Sequence, residues 1–293
     1  MSKLIKPSAL LKNTWALYRE KFALLFSLIF FPCLLLELDP LLNNIDPSFS
    51  IMTSGLIVLA AGLLMTWAGI AGVLVLADNN KSLKFSDACQ KSWAKFWPLV
   101  WVAIIASFVI GGGFALFIIP GLIFSVYFIF AKLIAILENK KGLSALIYSR
   151  EYLRGHFWAI TGRYFLVVFV SLIVYSLLNA IFNFLVSQLN LSSLIETLIS
   201  SFATVLINAL TFPLMMTAMY LLYQNLREVK GELIVTEIDK KAWPYLIISL
   251  IGWVWLFVFI FFLATMFMTF LISFLTSSFV TEAIMSTPTT LPN

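Results

Sequence analysis

Residues 118–163 read IIPGLIFSVYFIFAKLIAILENKKGLSALIYSREYLRGHFWAITGR. Pro120-Gly121 opens an apolar run that is interrupted only by Lys132 and closed by Glu138, and a basic segment ending in Phe157-Trp158 follows. As a helix this run is long enough to cross most of a hydrocarbon core about 30 Å thick. The same order of turn, apolar run and basic junction recurs along the chain.

Composition supports the same reading. Of 293 residues, 61% are hydrophobic and 11% charged, and the mean hydropathy is +1.00. A water-facing domain could not cover so much apolar surface. Strands of a membrane barrel alternate lipid-facing and lumen-facing positions, whereas the apolar stretches here are continuous. An all-α, polytopic helical membrane protein is therefore expected.

Seven apolar runs emerge, at residues 22–38, 51–77, 98–118, 121–138, 164–188, 194–224 and 244–275. The segments between them sort by charge. Eighteen of the nineteen Lys and Arg residues fall in the arm before the first run and in the segments 78–97, 139–163 and 225–242. The alternate connections, 39–50, 119–121 and 189–193, and the tail carry none. By the positive-inside rule the N-terminus is expected on the cytoplasmic side and the end of the last run outside. The first run reads as a retained span, because Pro32 and Glu37 interrupt it and no small-residue cleavage site follows. Residues 1–280 are expected to form one integral membrane domain and 281–293 a flexible tail. A kink at Gly252 or a re-entrant hairpin within the last run would return the C-terminus to the cytoplasm.

A loose repeat is visible. Ser8-Ala9-Leu10 leads through Trp15 to Phe22, Ser86-Asp87-Ala88 through Trp93 to Phe96-Trp97, and Ser144-Ala145-Leu146 through Tyr152 to Phe157-Trp158. This predicts three interfacial amphipathic helices, each preceding a helical hairpin, with one extra C-terminal span at 244–275. Trp15, Trp93, Trp97, Trp101, Trp158 and Trp243 fall near the basic boundary, where amphipathic rings anchor.

Candidate chemistry is sparse. His156 is the only histidine, and the sequence has no zincin, nucleophile-elbow, P-loop or dinucleotide pattern. No cofactor, metal site or catalysis is expected. Cys33 and Cys89 lie in different segments and are not expected to pair. No basic domain stands apart from the spans, so nucleic acid is not an expected partner.

Lys132, Glu138, Arg150 and Arg154 form a candidate site for lipid or a partner at the inner interface. Lys132 either snorkels to the interface or serves as counter-charge to an anionic ligand. Helical periodicity places Arg150 and Arg154 on the apolar face of their helix, either pairing back to Glu138 or holding lipid phosphates. A second candidate is a polar stripe on the fifth and sixth spans, Asn179, Asn183, Ser201, Thr204 and Asn208. It serves interhelical hydrogen bonding or lines a wet path, with Glu196 at its mouth and Pro213 freeing a carbonyl. The glycines Gly111, Gly112 and Gly113 permit close helix approach.

Pro120-Gly121, Leu137-Glu138, Gly142, Ala145-Leu146, Ser149, Gly155 and Phe157-Trp158, with Pro213, Leu222-Tyr223, Leu226-Arg227 and Gly231, resemble the glycerophosphoryl diester phosphodiesterase membrane domain family. The resemblance covers roughly residues 1–232. It implies a polytopic domain of about six spans in a prokaryotic inner membrane that is sometimes joined to a soluble phosphodiesterase domain. The catalytic barrel has no counterpart in this chain, and the span after Trp243 departs from the pattern. Two functions follow as expectations. One is a non-enzymatic scaffold or accessory module contacting anionic lipid, or a cytoplasmic protein partner, through basic helices. The alternative is a transporter or lipid-handling permease that uses the polar stripe.

Overall fold

The computed structural model describes residues 4–45, 51–78, 83–189, 192–231, 233, 235 and 238–285. Lys3 and Lys81 of the basic segments, residues 46–50 and 190–191 of the opposite connections, and residues 286–293 of the expected tail lie outside the described residues. The described residues form helices α1 (Pro7–Ile45), α2 (Ile51–Ala77), α3 (Phe85–Leu116), α4 (Ile118–Tyr127), α5 (Ala131–Leu137), α6 (Leu143–Leu153), α7 (Phe157–Ser187), α8 (Ser193–Lys230) and α9 (Ile238–Met285), and no strand. Among the described residues seven stretches are long and apolar enough to cross a membrane, with α4 and α5 together making one of them. The chain is an all-α, multi-pass membrane protein.

The predicted plan of three separate interfacial helices holds only for the third. α1 and α3 run without a break from their basic starts into their spans. The difference lies in glycine. Gly142 and Gly155, at φ +53° and +83°, bracket α6 in conformations that end a helix. No glycine separates the basic part from the apolar part in α1 or α3. Nor does α6 lie on a surface, since seven of its side chains, from Ala145 to Leu153, are buried.

The chain divides into two compact units, Met1–Ser107 with Ser125–Ala242, and Phe108–Phe124 with Trp243–Asn293. In the first, α1 packs on α2 and α8, and α7 packs on α8. Its core gathers Tyr18, Leu25, Leu28, Ala71, Val75 and Tyr220, with a second cluster at Ile29, Cys33, Ala68 and Val205. Basic side chains tie the helix ends together. Buried Lys21 donates to the Asp78 carbonyl at 2.9 Å, just past the C-terminus of α2, where the helix dipole favours a cation. Lys95 donates to the Ile136 carbonyl and, at 2.8 Å, to Asn139 Oδ1 at the end of α5. Arg163 reaches the Ile5 carbonyl at 2.8 Å, and Ile5 N–H donates to Asn225 Oδ1 at 2.8 Å. These contacts bring parts of all four basic segments together, Asn225 belonging to the last of them.

In the second unit, α3 reverses into α4 at Phe117, earlier than the expected turn at 119–121. Pro120 lies in the first turn of α4, where its missing N–H costs no helical bond. Gly121 provides the close approach instead: a Cβ on Gly113 would lie 3.1 Å from its Cα. α9 passes through Gly252 as one helix with no re-entrant hairpin, and it continues to Met285, inside the segment expected to be a tail. Gly252 meets the backbone of Gly112, whereas Ser249 Oγ donates to the Val109 carbonyl at 3.0 Å and Trp253 Nε1 to the Phe108 carbonyl at 3.1 Å.

All six tryptophans expected at the basic boundary are exposed, as lipid-anchoring rings should be.

Candidate functional site

The fourth span is broken. Between α4 and α5, residues 128–130 form a turn in which Ile129 N–H bonds the Val126 carbonyl at 3.3 Å and Ala131 N–H the Phe128 carbonyl at 3.0 Å. Non-helical backbone at membrane depth must find partners within the protein. Ser149 supplies them from α6. Its buried hydroxyl donates to the Tyr127 carbonyl at 2.7 Å and accepts from Phe130 N–H at 3.2 Å. Ser149→Ala would strand a buried backbone N–H, at a cost of about 1–3 kcal/mol. Denaturation in detergent would measure this, and an unchanged midpoint would show that the turn is satisfied in another way.

Six residues after Lys132 the chain reaches Glu138, which closes α5, and Asn139 follows at φ +56°. Tyr152 OH of α6 and Tyr223 OH of α8 both donate to Glu138 Oε1, at 2.8 and 2.5 Å. Arg227 Nε lies 3.9 Å from the same oxygen. Burial, and then the hydrogen bond to Glu138, push the Tyr152 phenol well above its ordinary range, which keeps it a donor at physiological pH. Both tyrosine rings are about 1% exposed. The cluster can fix three helices to one another.

The expected pairing of Arg150 and Arg154 with Glu138 is therefore corrected. Arg227 is the cation at Glu138, and the two arginines sit 3.6 and 3.7 Å from Glu151, which Lys241 also approaches at 3.9 Å. Lys230 donates to the Arg154 carbonyl at 2.6 Å. Periodicity failed here because α6 has no lipid-facing or water-facing side of the usual kind. Its buried set runs almost round the helix, and Arg154 lies at its end with the side chain 73% exposed.

Lys132 stands apart from these groups. Among the described residues it has no carboxylate or hydrogen-bond partner, and it lines a cavity of about 410 Å³ walled by α2, α5 and α8. The polar stripe does not bridge its helices. Asn179 and Thr204 bond carbonyls on their own helices, at Tyr175 and Ser200, and among the described residues Asn183, Ser201 and Asn208 make no side-chain hydrogen bond. Tyr18 is the cross-helix donor near Pro213, reaching the Leu210 carbonyl at 3.0 Å.

No family model, no curated protein and no solved structure matches this chain.

Tyr152 and Glu151 were missed as site residues. Spacing offered one signal for the α8 partners. Tyr223 and Arg227 are four residues apart, on one face of a helix, and so could converge on a single carboxylate.

Proposed function

We propose that the protein is a non-enzymatic integral membrane module that holds anionic lipid headgroups at its basic end, with the N-terminus on the cytoplasmic side of a prokaryotic cell membrane. The observation that carries this reading is the arrangement around Glu151. Arg150, Arg154 and Lys241 share one carboxylate at 3.6–3.9 Å, beyond hydrogen-bonding range. Among the described residues the Arg154 guanidinium makes no hydrogen bond, so its donors remain for phosphate oxygens. The Arg154 side chain is 73% exposed, and each basic residue near an anionic leaflet contributes about 1 kcal/mol.

The reading also draws on the resemblance to the glycerophosphoryl diester phosphodiesterase membrane domain family. Glu138, Tyr223 and Arg227, taken from both halves of the resemblance, meet at one oxygen. Such positions serve architecture. The permease alternative rests on a stripe whose bonds close on their own helices, and we do not adopt it.

Arg150→Glu with Arg154→Glu tests the proposal. In nanodiscs of mixed phosphatidylglycerol and phosphatidylcholine, the wild-type protein should enrich the anionic lipid, and the double variant should lose about tenfold of that preference or more. Unchanged enrichment in a folded double variant would overturn the reading.

A further inference from the structure

We propose that the cleft between α2, α5 and α8 is a binding site for one anionic phospholipid, with an acyl chain laid along α2 and the phosphate on Lys132. The site is distinct from the basic cluster at Glu151 and does not depend on it.

The cleft is apolar apart from Lys132 and Thr66, whose hydroxyl is occupied by the Gly62 carbonyl at 2.9 Å. Its volume of about 410 Å³ lies in the range of small-molecule sites, roughly 300–1,000 Å³. A water occupies about 30 Å³ of liquid and a methylene is of similar size, so the space takes on the order of a dozen such groups, one chain and not two.

The α2 wall suits a chain. Gly62 and Gly69 are seven residues apart on one helix face and line the cleft, and a Cβ built on either meets nothing within 4 Å. Gly55 continues the same row with open space above it, so the smooth track is about 21 Å long. Opposite lie Met215, Met216 and Met219 of α8, flexible side chains that adapt to an irregular apolar guest. At Gly72 the cleft closes, because Met216 packs against that position, its Sδ 3.2 Å from where a Cβ would stand.

Charge fixes the orientation. A cation inside a span costs about 2.5–3.5 kcal/mol at the helix centre and is ordinarily paired. Lys132 lies about 9 Å along the helix from Glu138, and among the described residues no acid lines its cleft. A phosphate from the leaflet beside it supplies the missing counter-charge, while the chain beneath it follows the glycine track. Gly62 and Lys132, which line the cleft, are both exposed on spanning helices, so a bilayer phospholipid can reach it and is the occupant.

Native mass spectrometry of the full chain, titrated with phosphatidylglycerol, phosphatidylcholine or oleate, tests this. The wild-type protein should retain one phosphatidylglycerol in preference to the other two. Lys132→Met should lower that retention about fivefold or more, and Lys132→Arg should keep it. Gly69→Leu, which fills the track without a clash at its Cβ, should abolish retention with Lys132 intact. Thermal unfolding would establish that each variant is folded. Retention unchanged in Lys132→Met would mean that the lysine reaches the interface, and would overturn the site. Retention unchanged in Gly69→Leu would leave the headgroup contact without the cleft, and would overturn it too. Preference for oleate would overturn the phospholipid as occupant. Arg150→Glu with Arg154→Glu should leave the single tightly retained lipid in place, which separates failure here from failure of the basic-end proposal.

Discussion

Glu138→Ala is expected to destabilise the protein by about 3 kcal/mol. The variant strands two buried phenol donors, Tyr152 and Tyr223, and each unsatisfied donor costs about 1–3 kcal/mol. Arg227 adds little, because its side chain is 47% exposed and water screens what it loses. Unfolding by a graded denaturing detergent, followed by tryptophan fluorescence, would measure the loss. Tyr152→Phe and Tyr223→Phe should each cost about 1 kcal/mol, and the effects should be non-additive with Glu138→Ala because all three share one oxygen. A Glu138→Ala variant within about 0.5 kcal/mol of wild type would show that the cluster contributes little.

Gly252→Ala should be the most damaging single methyl in the chain. Its Cβ would fall on the Gly112 carbonyl, and a Cβ on Gly112 would stand 2.6 Å from the Ser249 Cα. Neither obstacle is a side chain that can turn away. The α3 and α9 backbones must separate, which puts the Ser249 and Trp253 hydrogen bonds at risk along with the packing. Overpacking alone costs about 1–3 kcal/mol, and the broken bonds add to it. Gly62→Ala is the control. Its Cβ meets open space, so the variant should be neutral or up to about 1 kcal/mol more stable through helix propensity. If thermal melts rank the two variants the other way round, the close backbone crossing is wrong.

Much of the fold was legible in the sequence because membrane physics is local. Twenty apolar residues and a sign of charge in each connection are enough to define seven spans, and the described residues hold seven such stretches. The glycine run at Gly111–Gly113 was legible for the same reason, since a missing side chain permits approach whatever the partner. The site was less legible. Arg150 and Arg154 were assigned to an apolar helix face, but α6 is buried on several sides and both arginines approach its own Glu151. The break at residues 128–130 carries no proline or glycine to mark it, and the hydroxyl of Ser149 that satisfies it is brought from the next helix.

That break bears on how the chain is made. A translating ribosome delivers α4 and α5 before Ser149 emerges, so the fourth span enters the translocon with the Tyr127 carbonyl and Phe130 N–H still lacking their final partner. Until α6 docks, it is cheaper for this segment to remain a straight helix, or to stay beside polar surface, than to bend in lipid. Biogenesis therefore has an ordered step here: the fourth span reaches its native shape only after the polypeptide beyond it has been synthesised and has folded back.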